Sequence, residues 1–135
     1  MFDFGAGKKG KIDDFFFERN IRYVPFDPFN RTPESNGFAW DFLERMGTDV
    51  VTCANVLNVL DDSELEQAIR SLRYATGHSL KGMCFVSVYH APAKPRNLRR
   101  KGYIQRNQPL SEYTPFLKKE FDKVWNVGKF LACSI

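Results

Sequence analysis

Apolar residues recur along this chain in short runs that switch between the period of a strand and that of a helix. Phe2–Phe4 is a stub of apolar strand that stops at Gly5. Lys11–Arg19 reads as a helix with Ile12, Phe15 and Phe16 on one face, and Asn20 can end it. Ile21–Phe26 is β-branched and aromatic, a short strand closed by Asp27-Pro28. Pro33–Asn36 is loop-like, and Phe38–Arg45 has helical spacing closed by Gly47. Asp49–Leu57 is continuously apolar or small, the signature of a strand covered on both faces. Ser63 and Glu66 have capping-box spacing and open a helix to about Tyr74, stopped by Thr76-Gly77-His78. Met83–Tyr89 is another buried strand, Ala91–Asn107 a long loop rich in Pro and Arg, and Ser111–Phe121 a helix. Lys123–Val127 and Lys129–Ile135 are two strands too close together for a parallel crossover, so they run antiparallel. The alternation predicts an α/β fold in three layers: a mostly parallel sheet with helices on both faces, a truncated first strand and an antiparallel C-terminal hairpin.

Composition changes this picture little. With 135 residues, 43% hydrophobic and 15% aromatic, the chain is one globular domain with a substantial core. No internal repeat is visible, no apolar run reaches the length of a membrane span, and Asp3 with two lysines interrupts any signal-peptide core. Cys53, Cys84 and Cys133 are far apart, odd in number and without CxxC spacing. That argues against a disulfide framework and a zinc site, and for reduced thiols in a cytoplasmic protein. Charge does add something. Residues 1–90 carry a net −3 and residues 91–135 a net +7, so the basic end points to a polyanionic partner or, equally, to a solvated surface.

The chemistry begins at Gly5-Ala6-Gly7-Lys8-Lys9-Gly10, a G-x-G-x-x-G pattern between a strand and a helix. Such glycines permit a tight turn and close approach of a ligand to the backbone, with helix N–H groups facing it. Asp27 lies 22 positions after Gly5 at the end of the next strand, where an acid bonds the ribose of a nucleoside cofactor. The alternative is a plain strand–helix turn followed by a turn-forming Asp-Pro.

These residues resemble a known family. Asp3-Phe4-Gly5-Ala6-Gly7 is similar to the first motif, D/E-x-G-x-G, of class I S-adenosylmethionine-dependent methyltransferases, which have a Rossmann-like fold. "DVVTCANVLNVLDD", residues 49–62, resembles the family's fourth motif, and the closing hairpin its antiparallel last strand. The likeness runs over nearly the whole chain and is nearest to small methyltransferase-like domains of phage and DNA-modification gene sets. It implies S-adenosylmethionine as cofactor and methyl transfer as activity. It would set Asp3 near the methionine end, the Gly5–Ala6–Gly7 backbone beneath it, Asp27 on the ribose and Phe29 beside the adenine. Ala54 and Asn55 would line the pocket at the end of the fourth-motif strand, with capping as the other role open to Asn55 and Asn58.

The chain also departs from that family. Between Asp27 and Asp49 there is little room for a third strand and its helix, which leaves Asp41, near Trp40, as the one obvious acid for the adenine side. Lys8 and Lys9 would suit a phosphate better than a sulfonium. No Asp/Asn-Pro-Pro-Tyr motif and no cysteine beside a proline marks an acceptor chemistry. His90 and Tyr89, after the last parallel strand, are candidates to position an acceptor or relay a proton, and His78 suits a helix end. Residues 94–107 place Arg96, Arg99, Arg100 and Lys101 around Tyr103, a composition that can neutralise phosphates and stack a base. A nucleic-acid or nucleotide acceptor follows as an expectation. A non-catalytic domain of the same fold, binding a nucleotide or serving a larger complex, is the alternative; an NAD-type domain is disfavoured by the closing hairpin.

Overall fold

The computed structural model describes residues 1–8, 11–90, 97–100 and 103–135. Six strands form one sheet in the order β2-β1-β3-β4-β8-β7: β1 (Phe2–Phe4), β2 (Val24–Phe26), β3 (Val50–Ala54), β4 (Met83–Ser87), β7 (Lys123–Val127) and β8 (Phe130–Ser134). β1 pairs in parallel with both β2 and β3, and β3 with β4, while β8 runs antiparallel between β4 and β7. The expected α/β architecture is therefore present. The three-residue first strand is a short but central one.

Alternation along β1 sorts the layers. Phe2 and Phe4 are buried on one face, and Asp3 points to the other. On the Asp3 side lies α1 (Lys11–Glu18), whose Phe16 stacks on Tyr23 at 4.8 Å. On the Phe2 side lie α2 (Pro33–Met46) and α3 (Asp62–Gly77): Trp40 packs 5.1 Å from Phe2 and 6.1 Å from Tyr74. Leu65, Ile69 and Leu72 form the inward stripe of α3, each contributing roughly 1.5–3 kcal/mol by burial. Cys53, Cys84 and Cys133 are free and buried on this same face. Burial raises all three thiols above their ordinary range, Cys133 to about 12, so they pack as small apolar groups rather than react.

Several boundaries differ from those read off the sequence, each for a local reason. Residues 33–36 are the first turn of α2, not a loop: the Thr32 side chain accepts from Ser35 N, and Pro33 occupies the first helical position, where no N–H is missed. The capping box of α3 is built by Asp61 and Glu64 rather than Ser63 and Glu66; the Ser63 hydroxyl instead donates to Asp61. β3 stops at Ala54 because Asn55 turns into the left-handed region at φ 60°, and a 3₁₀ turn, Leu57–Val59, follows. The segment expected as a loop over 91–107 contains a hairpin, β5 (Asn97–Arg100) with β6 (Tyr103–Arg106). The expected helix over 111–121 is only a 3₁₀ turn, Leu110–Tyr113, and one turn of α4, Thr114–Leu117. Among the described residues no helix is long and apolar enough to cross a membrane, and no three metal-ligating side chains cluster.

Candidate functional site

Strands β1 and β2 end side by side, so the residues after them, Gly5 and Asp27, meet at the carboxyl rim of the sheet. The backbone N–H groups of Gly5 and Ala6 both donate to Phe26 O, at 2.8 and 3.0 Å. Gly5 has φ 81°, and a Cβ there would collide with Val56 Cγ2. Gly7 has φ 72° but faces open space, with nothing within 4 Å of where its Cβ would be. The two glycines thus do different work. Gly5 lets the loop pass close to Val56, and Gly7 leaves a bare stretch of backbone.

Asp27, 5% exposed, is the buckle between the two loops. Its Oδ2 accepts from Gly7 N at 2.8 Å, and its Oδ1 from Phe29 N and Asn30 N, both at 2.9 Å. The Asn30 amide reaches both oxygens at 3.2 Å. Charge-assisted bonds of this kind are what a buried carboxylate needs. Asn36, in the first turn of α2, clasps the Asp27 backbone by accepting from its N and donating to its O, each at 2.9 Å. Arg31 Nε donates to Gly7 O at 3.0 Å while its Nη2 pairs with Asp13 on α1 at 3.1 Å.

A cavity of about 540 Å³ opens at this rim. Gly5, Gly7, Asp27 and Asn55 line it, as does Phe29, which is 80% exposed. Its floor is aromatic: Phe4 lies 5.2 Å from Phe26, and Phe26 5.2 Å from Trp40. One wall is the stripe Glu64, Gln67, Ala68 and Ser71 of α3. A space of this size with a few polar groups over an apolar floor suits a nucleoside-sized ligand.

Of the residues singled out in the sequence, Gly5, Gly7, Asp27, Phe29 and Asn55 line this cavity, whereas Ala6 and Ala54 do not. Asp3 is also absent from it. Its Oδ1 accepts from Thr52 Oγ1 at 2.7 Å and its Oδ2 from Tyr23 OH at 2.8 Å, on the α1 side of the sheet. Burial, then the bond to Asp3, raises the Tyr23 phenol well above its ordinary value. The two early carboxylates therefore do not share one crevice: within β1, Asp3 faces away from the cavity-lining Phe4, whereas Asp27 lies past the end of β2, where loop bonds to Gly7, Phe29 and Asn30 direct it. Asp41 is exposed on α2, outside the cavity. Tyr89 and His90 follow β4 and do not line it either. His78 caps α3 with its ring edge-on to Tyr74 at 4.7 Å.

Lys9, Gly10, Arg96 and Lys101 lie outside the described residues, as do the side chains of Arg99, Arg100 and Tyr103. Their hairpin is nonetheless placed: Arg106 Nε donates to Leu60 O at 2.9 Å and Nη2 pairs with Asp62 at 2.7 Å. β6 therefore sits against the 3₁₀ turn whose Val59 lines the cavity. Trp40 and the α3 stripe were not foreseen. In sequence, Gln67 and Ser71 look like any solvent-facing polar positions of an amphipathic helix.

No protein-family description matches the chain, and no curated protein matches it in sequence. In structure it is similar to the 1,6-didemethyltoxoflavin-N1-methyltransferase of Burkholderia thailandensis, solved with 1,6-didemethyltoxoflavin and S-adenosylhomocysteine bound. The superposition has a TM-score of 0.58, with 15% identity, over 98% of this chain and 68% of that one. What the two share is the fold: a Rossmann-like α/β sheet closed by antiparallel strands.

Proposed function

We propose that this chain binds S-adenosylmethionine in the rim cavity and transfers its methyl group to a nucleotide or nucleic-acid acceptor. One observation carries the reading. The bare Gly7 backbone, Asp27 and Asn55 converge on one cavity at the carboxyl ends of β1, β2 and β3. The fold is also that of a methyltransferase solved with S-adenosylhomocysteine.

The residues present fit an adenosyl ligand. Gly7 leaves room above the loop, and the floor of Phe4, Phe26 and Trp40 offers ring faces to a purine and to a sulfonium. Asp27 has its bonding sites filled by four N–H donor groups, so a ribose diol would take the place of the Asn30 amide, whose two contacts are the longest. S-adenosylmethionine, when bound, supplies a methyl group on a cationic sulfur. The chain's part is to hold and align. Asp27, Asn36 and Arg31 fix the loops, and the aromatic rings offer the ligand an apolar surface. Among the described residues, the two carboxylates lining the cavity already have bonds: Asp27 accepts from Gly7, Phe29 and Asn30, and Glu64 Oε2 accepts from Asp61 N. Tyr89 and His90, past the end of β4, remain the proposed groups to orient an acceptor.

The net +7 of residues 91–135 supports a phosphate-bearing acceptor, docked on the β5–β6 hairpin beside the cavity. A place among methyltransferase-like proteins of phage and DNA-modification gene sets goes with that acceptor, and the buried thiols suit the reducing cytoplasm. Titration calorimetry with S-adenosylmethionine, S-adenosylhomocysteine and NAD tests the cofactor. Binding of the first two alone is expected, and binding of NAD alone refutes it. The second reading, a non-catalytic nucleotide-binding domain, is favoured by the filled bonding sites of Asp27 and by the position of Tyr89 and His90 outside the cavity. It predicts that none of the three ligands binds, the domain instead serving a larger complex or another nucleotide, and that no methyl group is transferred to any oligonucleotide.

A further inference from the structure

The carboxylate, amide and hydroxyl side chains that line the cavity can be sorted by what they already hold. Asp27 and Asn30 bond one another, Glu64 closes the α3 capping box, and the Ser71 hydroxyl donates to Gln67 O at 3.1 Å. Two primary amides remain, Asn55 and Gln67, both exposed to solvent. They stand at different ends. Asn55 follows β3, next to the Val56 that packs on Gly5. Gln67 lies on α3, and together with Trp40 and Ser71 it also lines a shallow groove between α2 and α3. It therefore stands where the cavity opens past its aromatic floor.

An adenosyl ligand also has two polar ends, an amino acid and a base edge. A purine stacked on Trp40 would present an edge toward α3, since Trp40 and Gln67 line both the cavity and the groove between α2 and α3. A carboxamide offers one donor and one acceptor in a plane, matching the acceptor nitrogen and exocyclic amino group on an adenine edge. We infer that Gln67 reads the adenine ring of the cofactor, making this helix position the base-specificity element of the site. The inference rests on the proposed adenosyl ligand. It places base recognition on the helix after β3, as among the described residues no strand lies beyond β2 to supply that wall.

The test is calorimetry of the whole chain with S-adenosylhomocysteine and with its 6-deamino counterpart, in which hydrogen replaces the amino group. The wild type should prefer the amino form by about tenfold, the effect of one well-made hydrogen bond. Gln67→Ala should erase the preference, because S-adenosylhomocysteine loses two bonds and the deamino form only the one at its ring nitrogen, so the first weakens by about tenfold more than the second. Alanine is a good residue at an exposed helix position, so the variant should fold. Equal binding of the two ligands by the wild type overturns the inference while leaving the proposed cofactor intact. So does an equal loss for both ligands in Gln67→Ala. Binding of neither ligand to the wild type removes the cofactor itself, and the inference with it.

Discussion

The two halves of the sheet's carboxyl rim are built differently. Around β1 and β2, the polar side chains that shape the loops are cross-bonded: Asp27 to Gly7, Phe29 and Asn30, Asn36 to Asp27, and Arg31 to Gly7 and Asp13. Around β3 and β4, Asn55 is held in a left-handed conformation by a backbone bond from its N to Ser87 O at 2.9 Å, and Tyr89 is 52% exposed. One half has its loop-shaping groups bonded to one another before any ligand arrives, and the other leaves side chains exposed. A cross-bonded half suits a constant ligand such as a cofactor, because preorganised contacts cost little to use. The exposed segment after β4, with Tyr89, suits the variable partner, the acceptor.

The comparison can be broken most directly at Asp27. Replacing it with Ala strands three backbone N–H donors and should cost about 3 kcal/mol of stability and nearly all S-adenosylhomocysteine binding, read by urea unfolding and calorimetry. An unchanged unfolding midpoint would show that the half is not held by this buckle. Next in size are the glycines. Gly5→Ala should cost about 2–3 kcal/mol, from its positive φ and the collision with Val56, and Val56→Ala in the same chain should return the steric part. Gly7→Ala, in open space, should cost only about 1–2 kcal/mol for its φ yet still weaken ligand binding. Asn30→Ala sharpens the picture: it removes only the two longest contacts on Asp27, so S-adenosylhomocysteine should bind as well as before or more tightly. Smallest of all, Tyr89→Phe and His90→Ala should shift stability by no more than about 0.5 kcal/mol, leave cofactor binding untouched and lower only methyl transfer. A loss of cofactor binding in either would erase the division between the halves.

Much of the cross-bonded half was legible in the sequence, and the reason is backbone chemistry. Positive φ at Gly5 and Gly7 and a short acid after the next strand are local needs, and local needs leave residue types behind. β3 and β4 were legible because a strand covered by helices must be apolar along its buried positions. What failed was of two kinds. Pro33 and the charged 97–106 stretch carry residues common in loops, although proline is free to begin a helix and arginines to flank a hairpin. Asp3 matched a motif, but its direction is set by strand alternation, which turned it toward Thr52 and Tyr23. Gln67 and Trp40 were hidden for another reason. Which stripe of a helix meets a cavity depends on how the helix rotates against the sheet, and no residue within the helix records that.

The space denied to a side chain at Gly5 is the space taken by Val56, although 51 positions separate them. Neither residue can be judged alone. Among descendants of this chain the pair should drift as one unit: a bulkier first partner would survive only alongside a slimmer second. A motif scan that scores the glycine by itself would pass lineages in which the loop no longer closes.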